Sequence, residues 1–491
     1  MALGVALRVV VQLAYRPAIL YIDSFGYLTN AKDLDPTMWR PVGYDALMVR
    51  WLLAYDDLSL ITAVQHLLGL GMAVAIYALL VHRGVRHWVS ALAAAPILLD
   101  GYQLQIEQNV MSDTLFQALL LGGAVLLAWR RTPLYTGVAL AGLLWGLSVT
   151  VRLIGEPLVL AGVLYLVLVF RGVPRKALAS GLLAACFAVP LVVYAHWFHA
   201  WTGEYGLNTK SAIVRYSRVA PFADCARLPA RPSYLRALCP DAPPGQRPGV
   251  DYYAHSPASP VMHVRLPPGT EREEALRTFT RDVTRAQPVD YAAAVGRDFV
   301  KGFAPVRTTS QGDVSLERWR FTLTYPHYPW GDPAWVARHF GGGEKPHVVR
   351  PLATFLRAYQ TYVYTWGTLL AATLLAGLLG AAGLVRARRS GLRAVSLLFS
   401  LAGGGMLLAS ATFEFSWRYE LPALVLLPVA GVLGITAIVS RRPGRCDHGR
   451  NHDPDQDPDH CACEPADGRA RPSGTVAGSL RKQSTRSGER T

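Results

Sequence analysis

The chain has 491 residues, of which 51% are apolar and only 17% charged, and its mean hydropathy is positive at +0.22. Lys and Arg outnumber Asp and Glu by 49 to 34, a net charge of +15. These values exclude a disordered chain and a small disulfide-stapled scaffold, and they argue against an ordinary soluble enzyme.

A helix that crosses a bilayer takes about 20 mostly apolar residues. In chain order such runs, some short, fall at 2–20, 58–81, 88–103, 114–129, 134–149, 157–170, 177–198, 358–385, 392–411 and 421–439. They predict an α-helical polytopic membrane protein with about ten transmembrane helices. Arg8 and Arg16 interrupt the first run. It lacks a small-residue cleavage site and is expected to be a retained helix rather than a signal peptide; a truncated start fits equally well.

Basic clusters at 83–87, 130–131, 171–176, 386–389 and 441–445 fall at alternate helix ends. The positive-inside rule places all five, and both termini, in the cytoplasm of a plasma-membrane protein. This placement accounts for the basic excess without a nucleic-acid partner. The expected organisation is an N-terminal transmembrane core at 1–199, an extracytoplasmic domain at 200–350 inserted before the last three helices, those helices at 351–440, and a tail at 441–491. Cys225 and Cys239 lie in the inserted segment, where a bridge would close a loop of about 15 residues, worth about 3 kcal/mol. Two buried free thiols are the alternative. The tail is Asp/Pro- and then Gly/Ser/Arg-rich and is expected to be disordered. Its Cys446, His448, His452, His460, Cys461 and Cys463 fit no zinc spacing.

Charges near hydrocarbon are costly, so their placement is informative. Asp23 follows the first run, Glu107 and Asp113 flank the next outer turn, Arg152 and Glu156 the one after, and Glu414, Arg418 and Glu420 precede the last helix. The topology brings all four turns to one face. A face carrying both signs suits an anionic group beside a reacting hydroxyl.

These residues carry a family resemblance. Asp23-Ser24-x-x-Tyr27-Leu28-x-x-Ala31, followed by Arg40-Pro41-Val42-Gly43-Tyr44, resembles the first outer loop of polyprenyl-phosphate-dependent glycosyltransferases of the GT-C superfamily. Met111-Ser112-Asp113-Thr114-Leu115-Phe116 is similar to an element of the protein O-mannosyltransferase and aminoarabinose transferase branch. Arg152 with Gly155-Glu156-Pro157, in altered order, and Arg418-Tyr419-x-Leu421-Pro422 resemble two further elements. The resemblance covers 1–200 and 351–440 and assigns no catalytic module to 200–350, whose Cys225 and Cys239 pattern is similar to that of actinobacterial integral membrane proteins.

The resemblance implies transfer of a sugar from a polyprenyl-phosphate donor in the membrane lipid to a cell-wall glycan, lipid or protein acceptor, with inversion. Asp23 would be the general base, Arg152 and Arg418 would hold the donor phosphate, and Tyr419 and Tyr27 would bind substrate, Tyr27 by stacking on the sugar. Glu107 and Asp113 would orient the acceptor or hold a divalent cation, Mg or Mn. Relatives with an acidic pair at the first site differ from Asp23-Ser24 here, which bears on metal dependence.

Each residue also has a plainer explanation. Asp23 and Glu107 suit solvated interfacial carboxylates, Ser112 or Asp113 an N-cap, and Arg152 and Arg418 snorkelling to headgroups. His66 reads as a helix–helix hydrogen-bonding group, and Trp39, Trp51, Trp197, Trp201, Trp417 and Tyr27 as interfacial anchors. A lipid-linked glycan transporter or a non-catalytic envelope scaffold are the competing functions. Motif placement shows no inverted repeat, and few ionisable groups fall at mid-helix depth, which weighs against transport.

Overall fold

The computed structural model describes residues 1–439 except 39, 210, 230–231, 311, 329–331, 341–342, 344, 385–386 and 388–389. The expected anchor Trp39, most of the basic cluster 386–389, the cluster 441–445 and the tail with its Cys and His residues lie outside the described residues.

The helices that build and position the site, in chain order, are α1 (Ala2–Ala14), α2 (Ile22–Asp33), α3 (Leu58–His82), α4 (His87–Leu99), α5 (Gly101–Gln108), α6 (Asp113–Ala128), α7 (Tyr135–Val151), α8 (Leu158–Val169), α9 (Val173–Thr202), α10 (Ser211–Val219), α11 (Arg272–Ala286), α12 (Pro288–Lys301), α13 (Arg350–Tyr362), α14 (Gly367–Ala382), α15 (Arg393–Ala411) and α16 (Leu421–Val439). Two strand fragments, β1 (Tyr15–Arg16) and β2 (His347–Val348), pair antiparallel with Tyr15 opposite Val348. Among the described residues, four helices are long and apolar enough to cross a membrane: α3, α9, α15, and α16 with its lead-in turn from Trp417. A fifth crossing arises if α13 and α14, bent by 48° at the break between them, are one broken span. The remaining apolar helices have 10–17 residues. At about 1.5 Å per residue they fall short of a hydrocarbon core about 30 Å thick.

Three apolar runs break where the hydropathy pattern alone predicts continuity. The run at 2–20 is helical only to Ala14, after which Tyr15 and Arg16 turn extended to pair with β2. The run at 88–103 stops at Leu99 because the Asp100 carboxylate caps a new helix, accepting from the backbone N–H of Tyr102 at 2.8 Å and of Gln103 at 3.2 Å. Its other oxygen accepts from Thr365 N–H at 2.6 Å, in the break between α13 and α14. One buried carboxylate thus supports both interruptions.

Small residues let the C-terminal helices touch. A Cβ on Gly434 of α16 would strike the Ala376 carbonyl of α14, so only glycine permits this approach. The main core runs through the apolar helices and takes in Val314, Leu316, Trp319, Val336 and Phe340 from the segment between α9 and α13. A second core, formed by Tyr216, Leu238, Tyr253, Phe279 and Val283 among others, belongs to that segment alone. Cys225 and Cys239 pack against it and are bonded to each other. The segment therefore has a core of its own only over its first part. Its later part joins the helices, and Met1–Arg441 forms one compact unit.

Trp417 departs from its expected place. It is 1% exposed, donates from Nε1 to the Thr308 carbonyl at 2.9 Å, and is packed inside the protein rather than at an interface. Trp51 and Trp201 are exposed.

Candidate functional site

Two backbone hydrogen bonds join the first loop to the turn before α6. Ile19 N–H donates to the Gln108 carbonyl at 2.9 Å, and Val110 N–H donates to the Ile19 carbonyl at 3.3 Å. This bridge sets Asp23, in the first turn of α2, beside Asp113, the first residue of α6. Ser24 accepts from Tyr21 N–H at 2.9 Å and so caps α2, which leaves Asp23 without an acidic or hydroxyl partner in sequence.

Asp23 is held by two arginines. Arg40 grips both of its carboxylate oxygens as a fork, and Arg418 Nη1 donates to Oδ2 at 3.0 Å. Arg418 continues to Asp113, donating from Nε to Oδ1 at 2.8 Å and from Nη2 to Oδ2 at 2.6 Å. Arg152, at the end of α7, completes the set by donating from Nη1 to Asp113 Oδ1 at 2.9 Å. The turns predicted to share one face thus meet through Asp23, Asp113, Arg152 and Arg418. Arg40 is the member that the sequence pattern did not single out as a site residue; its position after Trp39 and before Pro41-Val42-Gly43-Tyr44 was the available signal.

Within this hydrogen-bonded set three guanidiniums face two carboxylates. Burial raises the Asp23 carboxyl, but Arg40 and Arg418 overcome it and hold Asp23 below the usual carboxylate range. Asp45, close by, behaves oppositely. Burial pushes it up to about 8, against the Asn30 hydrogen bond at 3.0 Å and the charge of Arg40. The arrangement therefore has a surplus positive charge and suits a bound anion.

The neighbouring side chains have defined duties. Tyr27 is 3% exposed; its hydroxyl pairs with Ser112 Oγ at 3.0 Å, its ring meets Tyr44 edge-on at 4.9 Å, and Arg40 lies over it. Both the predicted sugar-stacking role and the interfacial-anchor alternative are therefore corrected: the ring is enclosed, and it supports Arg40. Ser112 occupies the N-cap position of α6 without capping it, since its hydroxyl serves Tyr27. Arg152 and Arg418 are ion-paired with Asp113 rather than reaching outward. Tyr419 lies under the Arg152 guanidinium, 5.4 Å from ring centre, and donates its hydroxyl hydrogen bond to Glu414 Oε1 at 2.9 Å. Glu420 is instead buried against Arg307 at 3.1 Å, whose guanidinium lies over the rings of Tyr102, Tyr364 and Trp417. Glu156 stays exposed.

Glu107 belongs to a separate buried network. Its Oε1 accepts from Arg8 Nη2 at 2.8 Å and Gln103 Nε2 at 3.0 Å, while Oε2 meets His66 Nδ1 at 2.9 Å. His66 Nε2 meets Gln108 Oε1 at 2.8 Å, so His66 bridges α3 and α5. A Cβ on Gly69 would strike the Glu107 carboxylate; glycine leaves it room. Arg8, an interruption by hydropathy, is the buried partner of Glu107. The expectation that Glu107 joins Asp113 at one face is corrected, because Arg8 and His66 draw it into the helix bundle.

The donor chemistry does not fit a divalent cation at Glu107 and Asp113. Both oxygens of each carboxylate already accept from guanidinium, amide or imidazole N–H groups, and Asp113 faces two guanidiniums that would repel a metal ion. Among the described residues no three His, Cys, Asp or Glu side chains converge as ligands. Compared with family models, curated proteins and solved structures, the chain matches none.

Proposed function

We propose that the chain is a GT-C-type membrane glycosyltransferase that moves a sugar from a polyprenyl-phosphate donor to a cell-envelope acceptor on the extracytoplasmic face. The observation that carries this reading is the surplus guanidinium charge of Arg40, Arg152 and Arg418 over Asp23 and Asp113, gathered by the order of motifs that resembles that superfamily. In this reading the chain crosses the bilayer about ten times, with the shorter helices tolerated by local thinning. Both termini are cytoplasmic, and the segment 200–350 lies outside.

The reaction follows from the charges. The acceptor hydroxyl attacks the anomeric carbon of the donor sugar, the bond to the phosphate oxygen breaks, and its electron pair stays on the lipid phosphate. Arg40, Arg152 and Arg418 bind the phosphate, with charge already arranged for the negative charge that develops on it. Asp23 has both oxygens engaged and is a weak base. We assign it the positioning of Arg40 and Arg418, in place of the general-base role implied by the resemblance. Asp113 does the same for Arg152 and Arg418.

One observation favours a transporter: the Arg8, Glu107 and His66 set is ionisable and buried among helices. Both oxygens of the Glu107 carboxylate are, however, already tied to protein donors, Arg8, Gln103 and His66, which fits a structural role better than cargo binding. The deciding experiment is turnover of radiolabelled polyprenyl-phosphate sugars by purified protein. Wild type should consume one donor, and Asp23→Asn should reduce turnover by about 10² or more. Equal inertness of both proteins toward lipids that still bind would overturn the transferase reading. Loss of lipid flux in Glu107→Gln would favour transport.

A further inference from the structure

A cavity of about 740 Å³ opens between α12, the loop at 308–314 and the turn after α15. Its size is that of a small-molecule site. Basic and acidic lining residues are equal in number, four of each, in contrast to the cationic surplus around Asp23. In its wall Arg218 pairs with Asp298 at 2.6 Å, and Lys301 pairs with Asp313. Arg218 is 5% exposed, and its Nε and Nη2 have no hydrogen-bond partner among the described residues. Phe222 and Phe415 add apolar faces to the lining. A wall of alternating donors, carboxylates and rings with no net charge matches a neutral polyhydroxylated molecule better than an anion.

Glu414 lines this cavity and also touches the phosphate-side cluster. Its Oε1 accepts from Tyr419, and Tyr419 carries Arg152 over its ring. We infer that the cavity holds the sugar acceptor, a neutral saccharide, and that Glu414 takes the proton of its attacking hydroxyl. This rests on the transferase reading. As the acceptor oxygen bonds to the donor's anomeric carbon, its proton passes to the Glu414 carboxylate, and the electron pair of the broken bond leaves with the phosphate. Burial raises Glu414 toward working pH, which improves it as a base, whereas Asp23 is held low.

The test uses the full chain in nanodiscs and neutral methyl disaccharides of pentoses and hexoses, with binding followed by saturation-transfer NMR. A disaccharide should bind wild type, and Ala294→Trp, which fills the cavity from α12, should weaken it at least about tenfold while polyprenyl-phosphate affinity is retained. Glu414→Gln should keep saccharide binding and acceptor KM but lower kcat by about 10²–10⁴ and remove the acidic limb of the pH profile. Absence of binding by every disaccharide, binding indifferent to Ala294→Trp, or full kcat in Glu414→Gln would overturn the inference. Failure of the transferase reading itself would show separately, as polyprenyl-phosphate binding that ignores the arginines.

Discussion

Arg418 and Asp113 are 305 positions apart and are joined by a forked ion pair, Nε to Oδ1 at 2.8 Å and Nη2 to Oδ2 at 2.6 Å. The fork leaves Nη1 for Asp23 at 3.0 Å, so one guanidinium ties α2, α6 and the turn before α16. An ammonium is a point charge and holds no such three-way geometry. Arg418→Lys should therefore cut turnover by about 10²–10³ although charge is preserved. Wild-type turnover in that variant, measured on the same donor, would show that the geometry is idle.

The low-lying Asp23 carboxyl has a pH consequence. Its folded value is depressed, so its contribution to stability is present above its unfolded value, about 3.9, and is lost as pH falls through the folded value. Donor-phosphate binding should thus show no Asp23 titration above pH about 4. An acidic limb in affinity near pH 5–6 that disappears in Asp23→Asn would contradict this.

Asp45 gives the opposite sign. Its folded value, about 8, lies above the unfolded one, so the folded state binds the extra proton between the two. Thermal stability should decline as pH rises from about 4 to 8, and Asp45→Asn should flatten that decline. Parallel melting curves for the two proteins across this range would remove Asp45 as the cause.

Because both oxygens of Glu107 and of Asp113 already accept from protein donors, turnover should be unchanged by EDTA and by added Mg or Mn. A chelator-induced loss restored by one of these ions would contradict the assignment.

Hydropathy and charge placement revealed the helical class and four of the five members of the ionic set, Asp23, Asp113, Arg152 and Arg418, because ionisable residues stand out beside apolar runs. What they did not reveal is pairing. Arg8 looked like a defect in α1 because its partner Glu107 lies 99 residues away. Asp100 reads as the interior of one helix because one of its partners, the Thr365 N–H, lies 265 positions on. Arg40 was hidden within a motif, and Tyr27 and Trp417 looked interfacial because hydropathy does not separate an aromatic at the bilayer surface from one enclosed by neighbours.

The most direct measurement of the central claim is the affinity of the purified chain for polyprenyl phosphate against the matching polyprenol, by native mass spectrometry, in wild type and Arg418→Gln. Wild type should prefer the phosphate by at least about tenfold, and Arg418→Gln should lose most of that preference. Equal binding of phosphate and alcohol by wild type would contradict an anion site at Arg40, Arg152 and Arg418, and with it the proposed transfer.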